Sequence, residues 1–260
     1  MKTFSMEMEA GNPASRRRLE TRLLQFEQLA GSEEVGDQVW RGYTYLWNDD
    51  QTDAILLEEP GKDRELTIKD ANAVGGVRKQ TWHFPSRSEC TLCHTMPAKY
   101  VLGVNTLQMN HSHDYGNGVV ANQIDVFEKL GLFKEPLPKK SAELPHLVNY
   151  RDATQPIEAR ARSYLQANCA HCHMKWGGGN AEFQLLATMA IEELGIVNAK
   201  PGQGAFGLTD PRILVPGDPD RTMLLHRLTK LGLGRMPHVG SNVVDEQATA
   251  MLKEWVRQLK

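Results

Sequence analysis

The chain lacks the features that mark membrane, nucleic-acid-binding and fibrous proteins. Its 260 residues contain no apolar run long enough to span a bilayer, so no transmembrane segment is predicted. Lys and Arg number 30 against 32 Asp and Glu, and the net charge of −2 gives no reason to expect nucleic acid or an acidic membrane surface as a partner. Apolar residues make up 40% and charged residues 24%, which is ordinary for a globular protein and excludes a fully disordered one.

The start of the chain also lacks the apolar segment of an intact signal peptide. Residues Met1 to Glu9 contain no continuous hydrophobic stretch. Two locations are therefore open: the cytosol, or an exported compartment with the export signal absent from this chain. The cysteines distinguish these two alternatives.

The chain has only four cysteines, and all of them lie in two copies of the pattern Cys-x-x-Cys-His. That pattern is the attachment motif of c-type haem. Two thiols three residues apart match the two vinyl groups on one edge of a porphyrin, and the His that follows gives the iron its proximal nitrogen. The sequence therefore predicts two covalently bound haem c groups, held by Cys90, Cys93 and His94 and by Cys169, Cys172 and His173.

Three other uses of the cysteines compete with haem: a zinc site, a thioredoxin-like redox pair, and disulfides. A zinc ribbon does not need a His directly after each second Cys, and neither pair is flanked by a βαβ pattern. Two complete motifs that use every cysteine favour haem. Because haem is attached to thiols on the outer side of the bacterial inner membrane, we expect a periplasmic or extracellular protein, or one on the outer surface.

The rest of the sequence divides into three regions. Residues 1–84 hold no cysteine and predict a small β domain, although Arg18 to Leu29 is ambiguous between helix and strand. Residues 85–153 form the first haem unit and residues 154–260 the second, and both are expected to be mainly α-helical. The expected strands are Arg41–Trp47, Ala54–Leu57, Leu66–Ile68 and Val77–Phe84. The expected helices are Val119–Leu132, Ala159–Asn168, a helix capped by Asp218 and a last helix from Asp245 to Leu259.

Met236 is the candidate distal ligand of the second haem. It lies 63 residues after His173, which is enough chain to pass around the ring, and Pro237 keeps its backbone extended. Met opposite His raises the potential of a haem that transfers electrons. Core packing is the alternative role for a single Met.

Residues 159–260 resemble a class I cytochrome c domain: a helix, Cys169-x-x-Cys172-His173, a long loop, Met236-Pro237 and a closing helix with Trp255. Most of the chain is also similar to a family of bacterial secreted repeat-type haem proteins, some of which are fused to a glucose/sorbosone dehydrogenase-like propeller with a quinone cofactor. The segments that carry this similarity are Tyr43 to Ala54, Trp82 to Arg87, Tyr100 to Asn110 and Gly234 to His238.

The distal ligand of the first haem is less defined. The same offset from His94 falls on Ile157, so the second unit is not a copy of the first. Met96 follows His94 too closely to pass around the ring. Four candidates are left, of which Met109 ranks first and the others are rivals: Met109, His111, His113 and His83.

The sequence thus favours an electron carrier over an enzyme, because it contains no catalytic triad, no phosphate loop and no evident substrate residues. Its expected partner is a redox protein, such as a dehydrogenase, a small cytochrome or a copper protein. The resemblance implies a quinone-cofactor sugar dehydrogenase as one electron donor. The alternative is a dihaem peroxidase in which the first haem has an open position near His111 and His113.

Overall fold

The computed structural model describes residues 1–28 and 38–260. By packing, the chain forms two compact units. Unit 1 consists of Met1–His94 and Leu231–Val244, and unit 2 consists of Thr95–Lys230 and Asp245–Lys260. The boundaries of 1–84, 85–153 and 154–260 drawn from the sequence remain a prediction.

Unit 1 is built on antiparallel sheets. A four-stranded sheet has the order β1-β2-β3-β4, and a two-stranded hairpin pairs β5 with β6. The strands are β1 (Lys2–Glu7), β2 (Arg16–Gln28), β3 (Gln38–Trp47), β4 (Ala54–Leu56), β5 (Lys62–Lys69) and β6 (Val77–Phe84).

The core of unit 1 is small and contains a buried charge. Leu66 and Ile68 alternate with exposed residues along β5, as a strand with one buried face requires. Glu20 on β2 is fully buried, where it pairs with Arg22 at 2.5 Å and accepts a hydrogen bond from the indole of Trp82 at 3.1 Å. These two partners compensate the cost of burying the carboxylate. The short helix α1 (Arg87–Cys90) follows β6.

Unit 2 begins with short elements joined by loops. These are α2 (Thr106–Met109), β7 (Ser112–Asp114), β8 (Val120–Asn122) and α3 (Gln123–Lys129). Asn110 is buried and connects them, because its amide nitrogen donates to the Ser141 and Leu144 carbonyls while its oxygen accepts from Asn122.

The main core of unit 2 lies among three longer helices: α4 (Ile157–Asn168), α5 (Met223–Thr229) and α6 (Glu246–Gln258). Trp255 on α6 is 1% exposed, and its indole donates to Glu158 on α4. Asp245 caps α6 by accepting from the Ala248 amide at 2.9 Å. The predicted apolar face of the last helix is confirmed by its buried residues Ala248, Met251, Leu252, Trp255 and Val256.

The expected fold class is wrong. The structure does not contain the predicted small β domain followed by two mainly α-helical cytochrome c-type units, of which the second would resemble class I cytochrome c. It is a mixed α/β protein with about 24% helix and 23% strand, antiparallel sheets and six helices within the described residues. The helices around the first motif are short: α1 and α2 have four residues each and α3 has seven, and α3 ends just before Gly131, which adopts the left-handed conformation with a φ of 67°.

Two helices begin later in the structure than the sequence predicts. The segment Val119 to Leu132 first forms strand β8, because the side chain of Asn122 accepts from the Ile124 amide and starts α3 only at Gln123. Asp218 caps a turn rather than a helix, since it accepts from the amides of Asp220 and Arg221, and α5 begins at Met223.

The other local predictions agree better. The strands expected at Arg41–Trp47, Leu66–Ile68 and Val77–Phe84 are confirmed, as is the helix that ends at Asn168 directly before Cys169. The ambiguous segment from Arg18 is strand β2 up to Gln28, and its last residue, Leu29, lies outside the described residues.

Candidate functional site

Both Cys-x-x-Cys-His motifs fold into the same single turn. In the first, the amides of Cys93 and His94 donate to the carbonyl of Cys90 at 3.3 and 3.0 Å. In the second, the amides of Cys172 and His173 donate to the carbonyl of Cys169 at 3.1 and 2.9 Å. All four cysteines are described and none is in a disulfide. Each turn therefore combines two cysteine side chains and one imidazole.

The first motif is held by helix α1. Ser86 and Glu89 form a capping box, in which the Glu89 amide donates to Ser86 Oγ and the Ser86 amide donates to the Glu89 carboxylate. The helix ends at Cys90, whose thiol packs on strand β3 where Gly42 leaves room for it. A Cβ at Gly42 would lie 2.6 Å from Cys90 Sγ.

The second motif follows α4 without a break. The Cys169 amide donates to the Leu165 carbonyl at 2.9 Å, so the motif begins at the C-cap of the helix. The glycines after the motif fold back over it, and the Gly179 amide donates to the Cys172 carbonyl at 3.1 Å. A Cβ at Gly177 would lie 2.4 Å from that carbonyl oxygen. The glycine run thus makes a close approach to the motif's backbone.

His173 is held in a defined orientation. Its ring stacks on Phe183 with centroids 4.5 Å apart and planes 6° from parallel. The Leu185 amide donates to the His173 carbonyl at 2.8 Å. A Cβ at Gly179 would lie 3.3 Å from Nδ1, so this nitrogen faces the glycine loop.

Met236 lies in the segment Leu231–Val244, which packs with unit 1. The buried guanidinium of Arg235 fixes the backbone just before it by donating to the Ser241 carbonyl and hydroxyl and to the Val243 carbonyl. A planar guanidinium with several donors suits this closed loop. Ligation of the second haem by Met236 remains a prediction.

Three of the candidate ligands for the first haem lie in unit 2. Met109 ends α2 and is half-buried, and His113 is exposed on β7. Both ring nitrogens of His111 are engaged: Nδ1 with the Ser112 carbonyl at 2.8 Å and Nε2 with the side-chain amide nitrogen of Gln123 at 2.7 Å. Ligation by His111 would require the second of these contacts to break.

The fourth candidate, His83, lies near the end of β6 between two carboxylates. Its Nδ1 is 2.6 Å from Asp63 and its Nε2 is 2.9 Å from Glu89. Iron ligation by His83 would require one of these contacts to break as well.

The donor set of each turn fits covalently attached haem. Thioether formation adds an intact thiol across a vinyl group, whereas zinc binds thiolate. Burial raises the pKa of the Cys169 thiol to about 12. Burial also raises the pKa of Cys90, with a smaller contribution from Glu20 and against the positive charge of Arg22. The thiols of Cys169 and Cys90, the first of each motif, therefore hold their protons more tightly than an ordinary cysteine does.

Comparisons with protein-family models, with curated proteins and with solved structures give no significant match to this chain. Within the described residues, no helix has both the length and the apolar character needed to cross a membrane.

Sequence reasoning missed several residues that shape these sites. The Ser-x-x-Glu pattern at Ser86 is a capping-box signal and could have been found. The pairing of Asp63 with His83 depends on the strand register, and the role of Arg235 depends on the path of its loop. The sequence alone determines neither. The stacking of Phe183 on His173 has no signal in the spacing of the motif.

The close approach at Gly177 gives a test of the second site. Gly177→Ala should place a methyl group against the Cys172 carbonyl, displace the turn and destabilise the protein by about 1–3 kcal/mol. Gly202→Ala is the matched control, because a Cβ there meets nothing within 4 Å. Urea unfolding of both variants measures the difference. Equal midpoints would mean that the turn tolerates the methyl group.

Met236 can be tested by substitution. If it is the distal ligand of the second haem, Met236→Ala should remove a sulfur-to-iron charge-transfer band and lower that haem's midpoint potential by part of the ~0.8 V range that axial ligands span. Met96→Ala is the control. Met96 is 66% exposed, and it follows His94 too closely to reach the opposite side of the first haem, so it is not a candidate ligand. An unchanged spectrum and potential in Met236→Ala would show that Met236 has another role.

Proposed function

We propose that this protein is a dihaem c-type cytochrome that transfers electrons between redox partners. The observation that carries the proposal is the repeated turn: two cysteines outside any disulfide and one histidine are arranged by the same hydrogen bonds at Cys90–His94 and at Cys169–His173.

Bound haem c would supply an iron that cycles between the ferric and ferrous states by one electron. The chain's own residues would hold the group and fix its orientation. The thiols would anchor its edge, and His94 and His173 would each offer one ring nitrogen. Phe183 would keep the His173 ring from rotating, because the two rings stack face to face.

The expected site of action follows from the attachment chemistry. Covalent haem attachment to Cys-x-x-Cys-His motifs places the protein in the periplasm or outside the cell. Its partners would be redox proteins, such as a dehydrogenase, a small cytochrome or a copper protein. The resemblance stated above adds a quinone-cofactor sugar dehydrogenase to the candidate donors.

The peroxidase alternative gains no support from the described contacts. It requires a polar side chain near the first haem that can exchange protons with peroxide. His111 is held by Ser112 and Gln123 through both ring nitrogens, in an arrangement that already satisfies a neutral imidazole.

The electron carrier and the peroxidase differ in whether a haem iron can bind an added ligand such as carbon monoxide. An electron carrier keeps both irons six-coordinate, so the reduced protein should bind carbon monoxide poorly and exchange electrons rapidly with a small redox protein. Its turnover of hydrogen peroxide should not exceed that of an ordinary cytochrome. Optical titration with carbon monoxide and a peroxide assay provide the two measurements.

The control for this experiment is His111→Ala. Rapid carbon monoxide binding by one haem, together with peroxide turnover that His111→Ala abolishes, would contradict electron transfer and favour the peroxidase. Slow binding and unchanged low turnover in both proteins would support the carrier.

A further inference from the structure

A cavity of about 650 Å³ lies within unit 1, and none of the residues of the two Cys-x-x-Cys-His motifs lines it. Strand β1 lines it with Ser5 to Glu7, strand β6 lines it with Arg78 and Gln80, and Val243 adds an apolar side chain. Pockets that bind small organic molecules have volumes of about 300–1,000 Å³. The cavity is therefore large enough for a ligand of this kind.

The cavity follows from the way β1 passes the β5–β6 hairpin. In the described four-stranded sheet, β1 is an edge strand. It contacts the hairpin on either side of Ser5–Glu7: the rings of Phe4 and Trp82 have centroids 6.3 Å apart, and the Lys69 amide donates to the Met8 carbonyl at 2.9 Å. These two contacts hold β1 and the hairpin together on both sides of the cavity.

Arg78 and Gln80 present hydrogen-bond donors at the cavity. Arg78 Nη1 donates to Gln80 Oε1 at 2.9 Å, and Arg78 Nε lies 3.6 Å from a carboxylate oxygen of Asp70. Within the described part of the chain, neither Arg78 Nη2 nor the side-chain nitrogen of Gln80 has a hydrogen-bond acceptor. The two side chains lie on the same face of β6, because they are two residues apart. Together they can donate to one acceptor group.

The charges that line the cavity favour one negative charge on the ligand. The charged lining residues are Arg78, Arg16 and Glu7, and Arg16 contacts Glu7, its partner in the strand register, at 2.9 Å. Their net charge is +1, so a ligand with a single negative charge is neutralised, whereas a second negative charge would be repelled by Glu7. A carboxylate matches the geometry of a guanidinium. The apolar lining residues Met6 and Val243 suit a ligand with an apolar body.

We propose that this cavity binds a small organic monocarboxylate. The carboxylate accepts hydrogen bonds from Arg78 and Gln80, and the apolar part of the molecule packs against Met6 and Val243. Hydrogen bonds from a guanidinium to a carboxylate are about twice as strong as those between neutral groups, so the carboxylate contributes most of the selectivity. The site is separate from the proposed haem attachment, and its binding can be measured whatever the haem content of the protein.

Equilibrium dialysis of the full chain against 2-naphthoate tests the proposal. This probe combines one carboxylate with an apolar ring system. It should bind at one site per chain with a Kd below about 1 mM. The matched probe is 2-naphthamide, which has the same shape but no charge. It should bind at least about tenfold more weakly, because it cannot form charge-assisted hydrogen bonds with Arg78.

Substitutions on β6 locate the binding. Arg78→Gln should weaken the binding of 2-naphthoate by about tenfold or more, because it removes the charged donor. Lys79→Gln is the matched control, since it removes the same charge from the neighbouring residue. Lys79 lies on the other face of the strand, where it contacts Glu65 at 2.7 Å. The affinity of the Lys79→Gln protein should equal that of the wild type.

A second variant covers the case in which Arg78→Gln does not fold, which urea unfolding would show. Gln80→Glu keeps an oxygen that accepts from Arg78 but replaces the amide donor with a negative charge, so it should also weaken the binding of 2-naphthoate by about tenfold or more. Absence of 2-naphthoate binding, equal binding of the two probes, or an affinity that the folded variants leave unchanged would overturn the proposal.

Discussion

The arrangement of both candidate sites depends on one hydrogen-bonded turn, in which the amide of the motif's His donates to the carbonyl of its first Cys. That bond closes the five-residue motif into one turn, which holds its two cysteines and its histidine together in both packing environments. The first turn begins at the last residue of a four-residue helix on a β-rich unit, and the second begins at the C-cap of a twelve-residue helix. The shared chemistry is thus local, while the packing that supports it differs.

Each turn is accompanied by glycine at the point of closest approach. Gly42 accommodates the Cys90 thiol, and Gly177 accommodates the Cys172 carbonyl, in both cases at distances that a Cβ would make too short. Such contacts matter because a site for a large rigid group needs its attachment residues held in place before the group binds. The second site adds the Phe183 stack, which orients His173. The first adds the capping box and the contacts of His83 with Asp63 and Glu89.

The sequence predicted local structure well and global structure badly. Alternation identified β3, the short segments at Leu66–Ile68 and Val77–Phe84 identified β5 and β6, and the apolar face of α6 was evident from its spacing, because these signals depend on neighbours within one element. The two helical cytochrome units were wrong because the motif was taken to imply a fold, whereas a single turn can occur in either context. The Asp63–His83 contact depends on the register of residues 20 apart in the sequence, which spacing alone does not determine.

The central claim is that both motifs carry covalent haem, and the intact mass of the denatured protein tests it most directly. The protein should be produced with an export signal in cells that contain the haem export and maturation machinery. The account predicts a single species with the mass of the polypeptide plus two haem groups. A polypeptide without added haem, from a native protein that contains stoichiometric zinc, would contradict it.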